Sequence, residues 1–312
     1  MSDHAETTTL AAEAAVAATP DKGESLLARH VAAFFESPLA VAGLVTLLAM
    51  VLLALLAPFI APQNPYDLSQ LDIMDGTLAP GAKSLAGYTF WLGTDEQGRD
   101  MLSGILYGLR ISLGVGAVST VIACALGASI GVVAAYAGGR VDTLVMRVVD
   151  LQLSFPAILV ALVLLAVFGR GVDKVVIALV IVQWAYYART VRGSALVERR
   201  REYIEAARCL ALPKNRVVFR HLLPNCLPPL IVVATVQVAH SIALESTLSF
   251  LGVGVPVTEP SLGMLIAKGY DYLLSGKYWI STFPGVALVL AIVAINLVGD
   301  RLRDVLNPRL SR

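Results

Sequence analysis

Long apolar segments separated by polar ones run through the whole chain. A membrane hydrocarbon core about 30 Å thick is crossed by about 20 mostly apolar helical residues, and six segments approach that length. They cover residues 39–57, 111–136, 148–168, 175–187, 227–250 and 279–298. The fourth segment is short by itself, so we expect it to recruit residues from its flanks. The pattern therefore predicts an all-α polytopic membrane protein with six transmembrane helices.

Composition and the distribution of charge support this prediction and add an orientation. Of the 312 residues, 57% are hydrophobic and 15% are charged, which is too apolar for a soluble globule. Because short loops rich in Lys and Arg stay in the cytoplasm, their distribution predicts that both termini are cytoplasmic. Seventeen of the 24 lysines and arginines fall in four of the polar pieces, residues 1–38, 137–150, 188–226 and 299–312.

The same pattern predicts how the chain is divided. The predicted parts are a cytoplasmic tail at 1–38, a first transmembrane helix with an outer loop at 39–110, a transmembrane core at 111–300 and a cytoplasmic tail at 301–312. A cytoplasmic loop at 188–226 interrupts the core. The N-terminal tail lacks the apolar run of a cleavable signal peptide, and we expect a short amphipathic helix around 26–35.

Small residues in the second apolar segment predict close helix packing. Gly127 and Gly131 are four residues apart, the spacing that lets two membrane helices approach closely, and Gly114 lies further back on the same segment. Glycine without a packing role would only lower helix propensity, which membrane helices tolerate. We expect a bundle of packed helices.

The most polar stretch, residues 187–224, holds nine lysines and arginines. Residues 198–212 predict a helix, with the pairs Glu198 to Arg201 and Glu205 to Arg208 at helical spacing. Pro213 suits the start of a second helix, since its missing N–H is not needed there. Two short helices joined by a tight turn would protrude from the membrane surface, although a basic loop that only sets topology and touches anionic lipid has the same charge.

The order of residues in this stretch resembles a known loop. Glu202-Tyr203-Ile204-Glu205-Ala206-Ala207 is followed by Leu210-Ala211-Leu212-Pro213 and His221-Leu222-Leu223-Pro224-Asn225. This order is similar to the EAA loop of ABC importer permeases, where the membrane subunit receives motion from a separate ATPase. Ala211 stands where that family usually has glycine, which matters only if the turn requires a positive φ.

Five further strings resemble the dipeptide, oligopeptide and nickel branch of these permeases, in the same order. They are Trp91-Leu92-Gly93-Thr94-Asp95 with Gly98-Arg99-Asp100, Tyr107-Gly108-Leu109-Arg110-Ile111-Ser112-Leu113, Gly138-Gly139-Arg140-Val141-Asp142, Leu248-Ser249-Phe250-Leu251-Gly252, and Leu297-Val298-Gly299-Asp300-Arg301-Leu302-Arg303-Asp304. Together the similar strings span roughly residues 25 to 310. In this branch the chain resembles the C-type permease of a dipeptide or oligopeptide importer in a bacterial inner membrane.

The resemblance implies a fold, a role and a set of partners. It implies an inner five-helix core preceded by one extra helix, a homologous second permease, two cytoplasmic ATPase subunits, an extracytoplasmic substrate-binding protein and surrounding lipid. ATP and magnesium would be bound by the ATPase subunits, and no cofactor is expected in this chain. The residues expected to contact the ATPase are Glu205, Ala206, Ala207, Ala211, Leu212, Pro213 and Arg216.

Motifs for catalysis do not support an enzyme. The string nearest to a P-loop, from Gly76 to Ser84, has one residue too many and falls in the predicted outer loop. The four histidines are scattered without zinc spacing. We therefore expect a transport subunit whose ATP is hydrolysed by its partners, with no nucleic-acid partner.

The fifth apolar segment carries a polar face. Gln237, Ser241 and Glu245 recur every four residues with His240 beside them. Ionisable groups within a bilayer usually face a bundle interior or a cavity, so this face is a candidate lining for the substrate path. In the alternative, Glu245 bonds to a neighbouring helix and never meets substrate.

Several functions remain open from sequence. Nickel or another small solute is an alternative cargo within the same branch. A self-sufficient secondary transporter, or a scaffold that only anchors a cytoplasmic complex, are alternatives from other classes. The sequence does not identify the cargo.

Overall fold

A computed structural model describes residues 26–306 except 68, 70, 85, 86 and 257, and nearly all of its regular structure is helical. Its main helices, numbered here in chain order, are α1 Leu26–Phe35, α2 Pro38–Ile60, α3 Met101–Ala137, α4 Gly139–Ser154, α5 Ala157–Phe168, α6 Val172–Glu198, α7 Glu202–Cys209, α8, α9 Leu227–Phe250, α10 Leu262–Tyr270 and α11 Trp279–Leu306. Helix α8 is continuous but composite, with Lys214–Arg216, the π-helical Val217–Leu222 and Leu223–Asn225. The helix expected at 26–35 is confirmed by α1, while residues 1–25 of the tail lie outside the described residues.

Five helices, α2, α3, α6, α9 and α11, are long and apolar enough to cross a membrane. The sixth predicted span, 148–168, is not one straight helix, because α4 and α5 meet at a bend of 91°. Phe155 has extended angles (φ −91°, ψ 141°) at this bend. The ring of Pro156 disfavours helical angles for the residue before it, which breaks the span here.

Helix α6 confirms that the fourth span recruits its flanks. It has 27 residues and continues into the stretch predicted as a cytoplasmic loop, ending only at Glu198. Two pairs join α6 to α4, Arg189 with Asp150 and Arg192 with Asp142.

The centre of the bundle is the contact between α3 and α6. A Cβ atom added at Gly127 would lie 2.2 Å from the carbonyl oxygen of Trp184, and one at Gly131 would lie 2.3 Å from that of Ala188. Both glycines therefore let the two backbones touch, as the spacing predicted. Helices α9 and α11 pack beside α3, and α2 lies against α11, where Gly43 meets Leu297.

The loop between α2 and α3 packs against the segment that leads into α11. Asp100 caps α3 by accepting hydrogen bonds from the backbone N–H and hydroxyl of Ser103, at 2.8 and 2.6 Å. The indole Nε1 of Trp279 donates to the carbonyl of Thr94, and Lys277 Nζ donates to Thr77 Oγ1. These bonds hold the loop against the start of α11.

Candidate coupling element and polar helix face

The coupling element consists of α7, α8 and the turn between them. Helix α7 begins at Glu202 and ends at Cys209, so the helix predicted at 198–212 is wrong at both ends. Arg201 has extended angles, and the neighbouring Arg199 donates through Nη1 to the carbonyl of Ala135, 2.6 Å away at the end of α3. Arg199 thus satisfies one of the last carbonyl groups of α3.

One face of α7 anchors the element to the bundle. Ile204 and Ala207 are buried in a core cluster with Tyr187 of α6 and with Val217 and Leu222 of α8. Leu212, in the turn, packs against the same cluster. Because both short helices and α6 share one core, they are expected to move as a unit.

The residues predicted to contact the ATPase are exposed on α7, the turn and α8, except that Ala207 and Leu212 belong to the anchor. The exposed residues are Glu205, Ala206, Ala211, Pro213 and Arg216. Leu210, 74% exposed at the tip, was not singled out from sequence, although an apolar residue at the end of a polar helix is a signal for a contact.

The turn after α7 is a Schellman motif. The N–H of Leu212 bonds to the carbonyl of Ala207 at 3.2 Å, and the N–H of Ala211 bonds to that of Arg208 at 2.9 Å. Ala211 takes the left-handed position with φ +51°. The turn therefore does require the positive φ that makes the replacement of glycine by alanine costly.

The predicted pair of Glu205 with Arg208 is not formed. The Arg208 guanidinium lies 5.3 Å from the ring centroid of Tyr136, a cation–π contact to the end of α3. Within the part of the chain that the structure describes, Glu205 takes part in no ion pair. Its carboxylate remains exposed for a basic residue of a partner. The predicted Glu198 to Arg201 pair is present, at 3.7 Å.

Helix α8 starts directly after Pro213, the residue from which the sequence predicted its start. Pro213 occupies the N-cap position, one residue before the first helical residue, Lys214. The following widened π-helical turns were not predicted, since hydrophobic spacing does not distinguish them from α-helix.

The side chain of Glu245 is buried between α9 and α3. Its side chain is 0% exposed and accepts hydrogen bonds from Ser112 of α3 and Ser249 of α9, both at 2.8 Å. Ser246 adds a longer bond at 3.3 Å. The geometry agrees with the alternative in which this carboxyl joins neighbouring helices, and its assignment to a substrate path stays a prediction.

Ser241 is also internal. Its hydroxyl accepts a hydrogen bond from Gln183 Nε2 of α6 at 2.6 Å, donates to the carbonyl of Gln237 at 2.7 Å, and lies 3.3 Å from Thr120 Oγ1 of α3. A buried hydroxyl that joins three helices has a packing role. His240 differs, since its side chain is exposed. Gln237 is 8% exposed, and its amide nitrogen has no partner among the described residues.

Comparison with known proteins agrees with this fold. The model for "binding-protein-dependent transport system inner membrane component" matches residues 127–312, and that for the N-terminal transmembrane domain of oligopeptide transport permease C matches residues 25–80. Structures of the inward-facing MetNI methionine ABC transporter superpose with a TM-score of 0.54 over 66% of this chain and 98% of the other, at 22% identity. This likeness concerns the fold alone.

Relatives of higher identity cover most of the chain. A putative peptide transport system permease protein of Brucella suis is 44% identical over 86% of this chain and 87% of its own length. The di/tripeptide transport system permease protein DppC of Pseudomonas aeruginosa is 38% identical over 87% and 88%. The dipeptide transport system permease protein DppC of Haemophilus influenzae is 33% identical over 88% and 91%. The chain therefore belongs to the family of binding-protein-dependent transport system inner membrane components, as an ABC importer permease subunit that works with ATPase and permease partners.

Proposed function

We propose that this chain is the C-type permease of an ATP-driven importer of dipeptides and oligopeptides. The observation that carries the cargo class is the identity of 33–44% to permeases named for peptide, dipeptide or di/tripeptide transport, over nearly the whole chain. The permease moves substrate by alternating access, with no bond chemistry of its own.

The proposed assembly has a homologous second permease, two cytoplasmic ATPase subunits that bind ATP and magnesium, and an extracytoplasmic peptide-binding protein. Both termini and the coupling element face the cytoplasm. The concentration of Lys and Arg in residues 188–226 supports this orientation. Surrounding lipid contacts the exposed apolar residues of α2, such as Leu48 and Leu55.

The coupling element transmits closure of the ATPase dimer to the bundle. Its exposed face, with Glu205 and Ala206, contacts the ATPase, while Ile204 and Ala207 connect it to α6 and α8. Because α8 leads directly into α9, displacement of the element rotates α9 relative to its neighbours.

The substitution Glu205→Arg tests this contact in the complete complex, reconstituted into vesicles. Charge reversal at an interface that pairs the carboxylate with a cation costs several kcal/mol, so we expect ATP-driven dialanine uptake to fall by about ten-fold or more. Assembly, followed by co-purification of the ATPase, should persist, because Glu205 takes no part in the core. The control is Asp304→Arg, an exposed carboxylate on α11 outside the element. Unchanged uptake in Glu205→Arg would refute the coupling role.

The cargo is tested with the same vesicles. We expect uptake of dialanine that requires both ATP and the binding protein. Uptake of nickel ions without peptide uptake would assign the other cargo of this branch, and ATP-independent peptide uptake by the purified chain would favour a secondary transporter.

A further inference from the structure

A groove opens at the end of the bundle that carries the coupling element. Its cavity volume is about 920 Å³, and its walls are the last turns of α6, the first half of α9 and the end of α11. Much of the lining is proline and valine, including Pro229, Val232 and Val236. A cavity of this size holds a small organic ligand, and its walls are apolar like those of most ligand sites.

Two groups of opposite charge line this apolar groove. Glu198 at the end of α6 and Arg303 near the end of α11 both face it. Arg303 is exposed and forms no ion pair within the described part of the chain. The Glu198 carboxylate accepts a hydrogen bond from Tyr203 at 2.9 Å and lies 3.7 Å from Arg201, and its remaining lone pairs can accept further donors. Burial, followed by the bond to Glu198, raises the pKa of Tyr203 to about 12, so the phenol stays protonated as a donor.

The other polar groups of the wall are already satisfied. Thr190, Ser194 and Asn225 each donate to the backbone carbonyl four residues earlier on their own helix. Gln237 is the exception, since its buried Nε2 has no partner among the described residues. A buried amide donor without a partner points to a group that is missing from the site.

We propose that this groove binds the imported peptide by its two ends before release. The Arg303 guanidinium would bind the terminal carboxylate, Glu198 would bind the terminal ammonium, and Gln237 would donate to a peptide carbonyl. The valine and proline wall would accept varied side chains with little discrimination. The ligand is thus a short zwitterionic peptide, which the groove recognises by the two charged termini that all such peptides share. This inference rests on the proposed peptide transport function.

Protection of a single cysteine from labelling tests the site. In the complete nucleotide-free complex, the native cysteines Cys124, Cys209 and Cys226 are replaced by alanine and Val236→Cys is introduced. Val236 is 47% exposed in the groove, and Leu290→Cys, 47% exposed on α11 outside the groove, is the matched control. Dialanine at ten times its half-protecting concentration should slow maleimide labelling at position 236 about ten-fold, and not at position 290.

Four variations separate recognition of the termini from simple filling of an apolar groove. The doubly capped N-acetyl-dialanine amide should not protect position 236. Arg303→Gln and Glu198→Gln should each raise the half-protecting concentration, and Arg303→Lys should recover part of the effect because it keeps the charge. Equal protection by the capped peptide, or unchanged protection in both variants, would overturn the proposal.

Peptide uptake by vesicles that contain the complete complex distinguishes failure of the groove assignment from failure of the proposed transport function. If dialanine is transported with ATP and the binding protein but never protects position 236, the groove assignment is wrong while the proposed function stands. If dialanine is not transported at all, the peptide function itself fails.

Discussion

Ala211 shows how a single side chain adds backbone strain to the turn between α7 and α8. Its φ of +51° lies in the left-handed region, where the Cβ atom of an L-residue is crowded by the backbone. The Schellman hydrogen bonds of Leu212 and Ala211 hold this conformation, so the strain is retained in the folded chain. Sequence comparison with the family's glycine raised the question, but only the backbone angle answered it.

We expect Ala211→Gly to stabilise the protein by about 1 kcal/mol, because glycine adopts the left-handed region without the Cβ penalty. Thermal unfolding of the purified chain in detergent measures the change. Ala206→Gly is the matched control, since Ala206 is an exposed residue in the interior of α7, where glycine should destabilise by about 1 kcal/mol. A loss of stability in Ala211→Gly would show that the turn carries no such strain.

At the scale of elements, the bundle depends on the close approach of α3 and α6. The contact is made by backbone atoms, since Gly127 and Gly131 face the carbonyl oxygens of Trp184 and Ala188. Van der Waals packing of this kind replaces the hydrophobic effect as the force between helices within lipid. The sequence predicted that these glycines lie at an interface, and the structure identified their partner helix.

Gly131→Ala should destabilise the bundle by about 2 kcal/mol, because the new Cβ would lie 2.3 Å from a carbonyl oxygen that cannot move without its helix. Gly114→Ala is the control on the same helix, since a Cβ there has no atom within 4 Å. Denaturant unfolding in mixed micelles compares the two variants. Equal stability of the two would mean that α3 and α6 are not in backbone contact.

At the scale of the whole molecule, the loop between α2 and α3 places two buried carboxyl groups near a lysine from a late part of the chain. Asp95 and Asp100 are each 1% exposed, and Lys268 of α10 lies near Asp95 and Arg99. Burial raises the pKa of both Asp95 and Asp100 despite the hydrogen bonds that they accept. Burial also lowers the pKa of Lys268. Burial therefore imposes a free-energy cost on the charged form of each of these groups.

This cost predicts a pH dependence. A carboxyl whose folded pKa is raised stabilises the fold at low pH, and that stability is lost as pH rises from the unfolded pKa, near 3.8, through the folded value. We expect thermal stability in detergent to fall as pH rises from about 4 towards neutral. Asp95→Asn keeps an acceptor oxygen and removes the charge, so its decline should be smaller. Asp271→Asn, an exposed residue on the same side, should leave the slope of the wild-type chain unchanged. An identical slope in Asp95→Asn would contradict the argument.

The sequence by itself determined which segments enter the membrane and which segment projects from it. Apolar length and the positions of prolines and charges are local properties. They predicted six spans, of which the structure has five as single continuous helices, and a turn at Pro213. The tertiary structure decided which way side chains face. Ser241 and Glu245 bond inside the chain while His240, on the same helix, is exposed, because the rotation of a membrane helix about its axis is set by packing against its neighbours. The groove has the same origin, since Glu198 and Arg303 line it from helices that are distant in sequence.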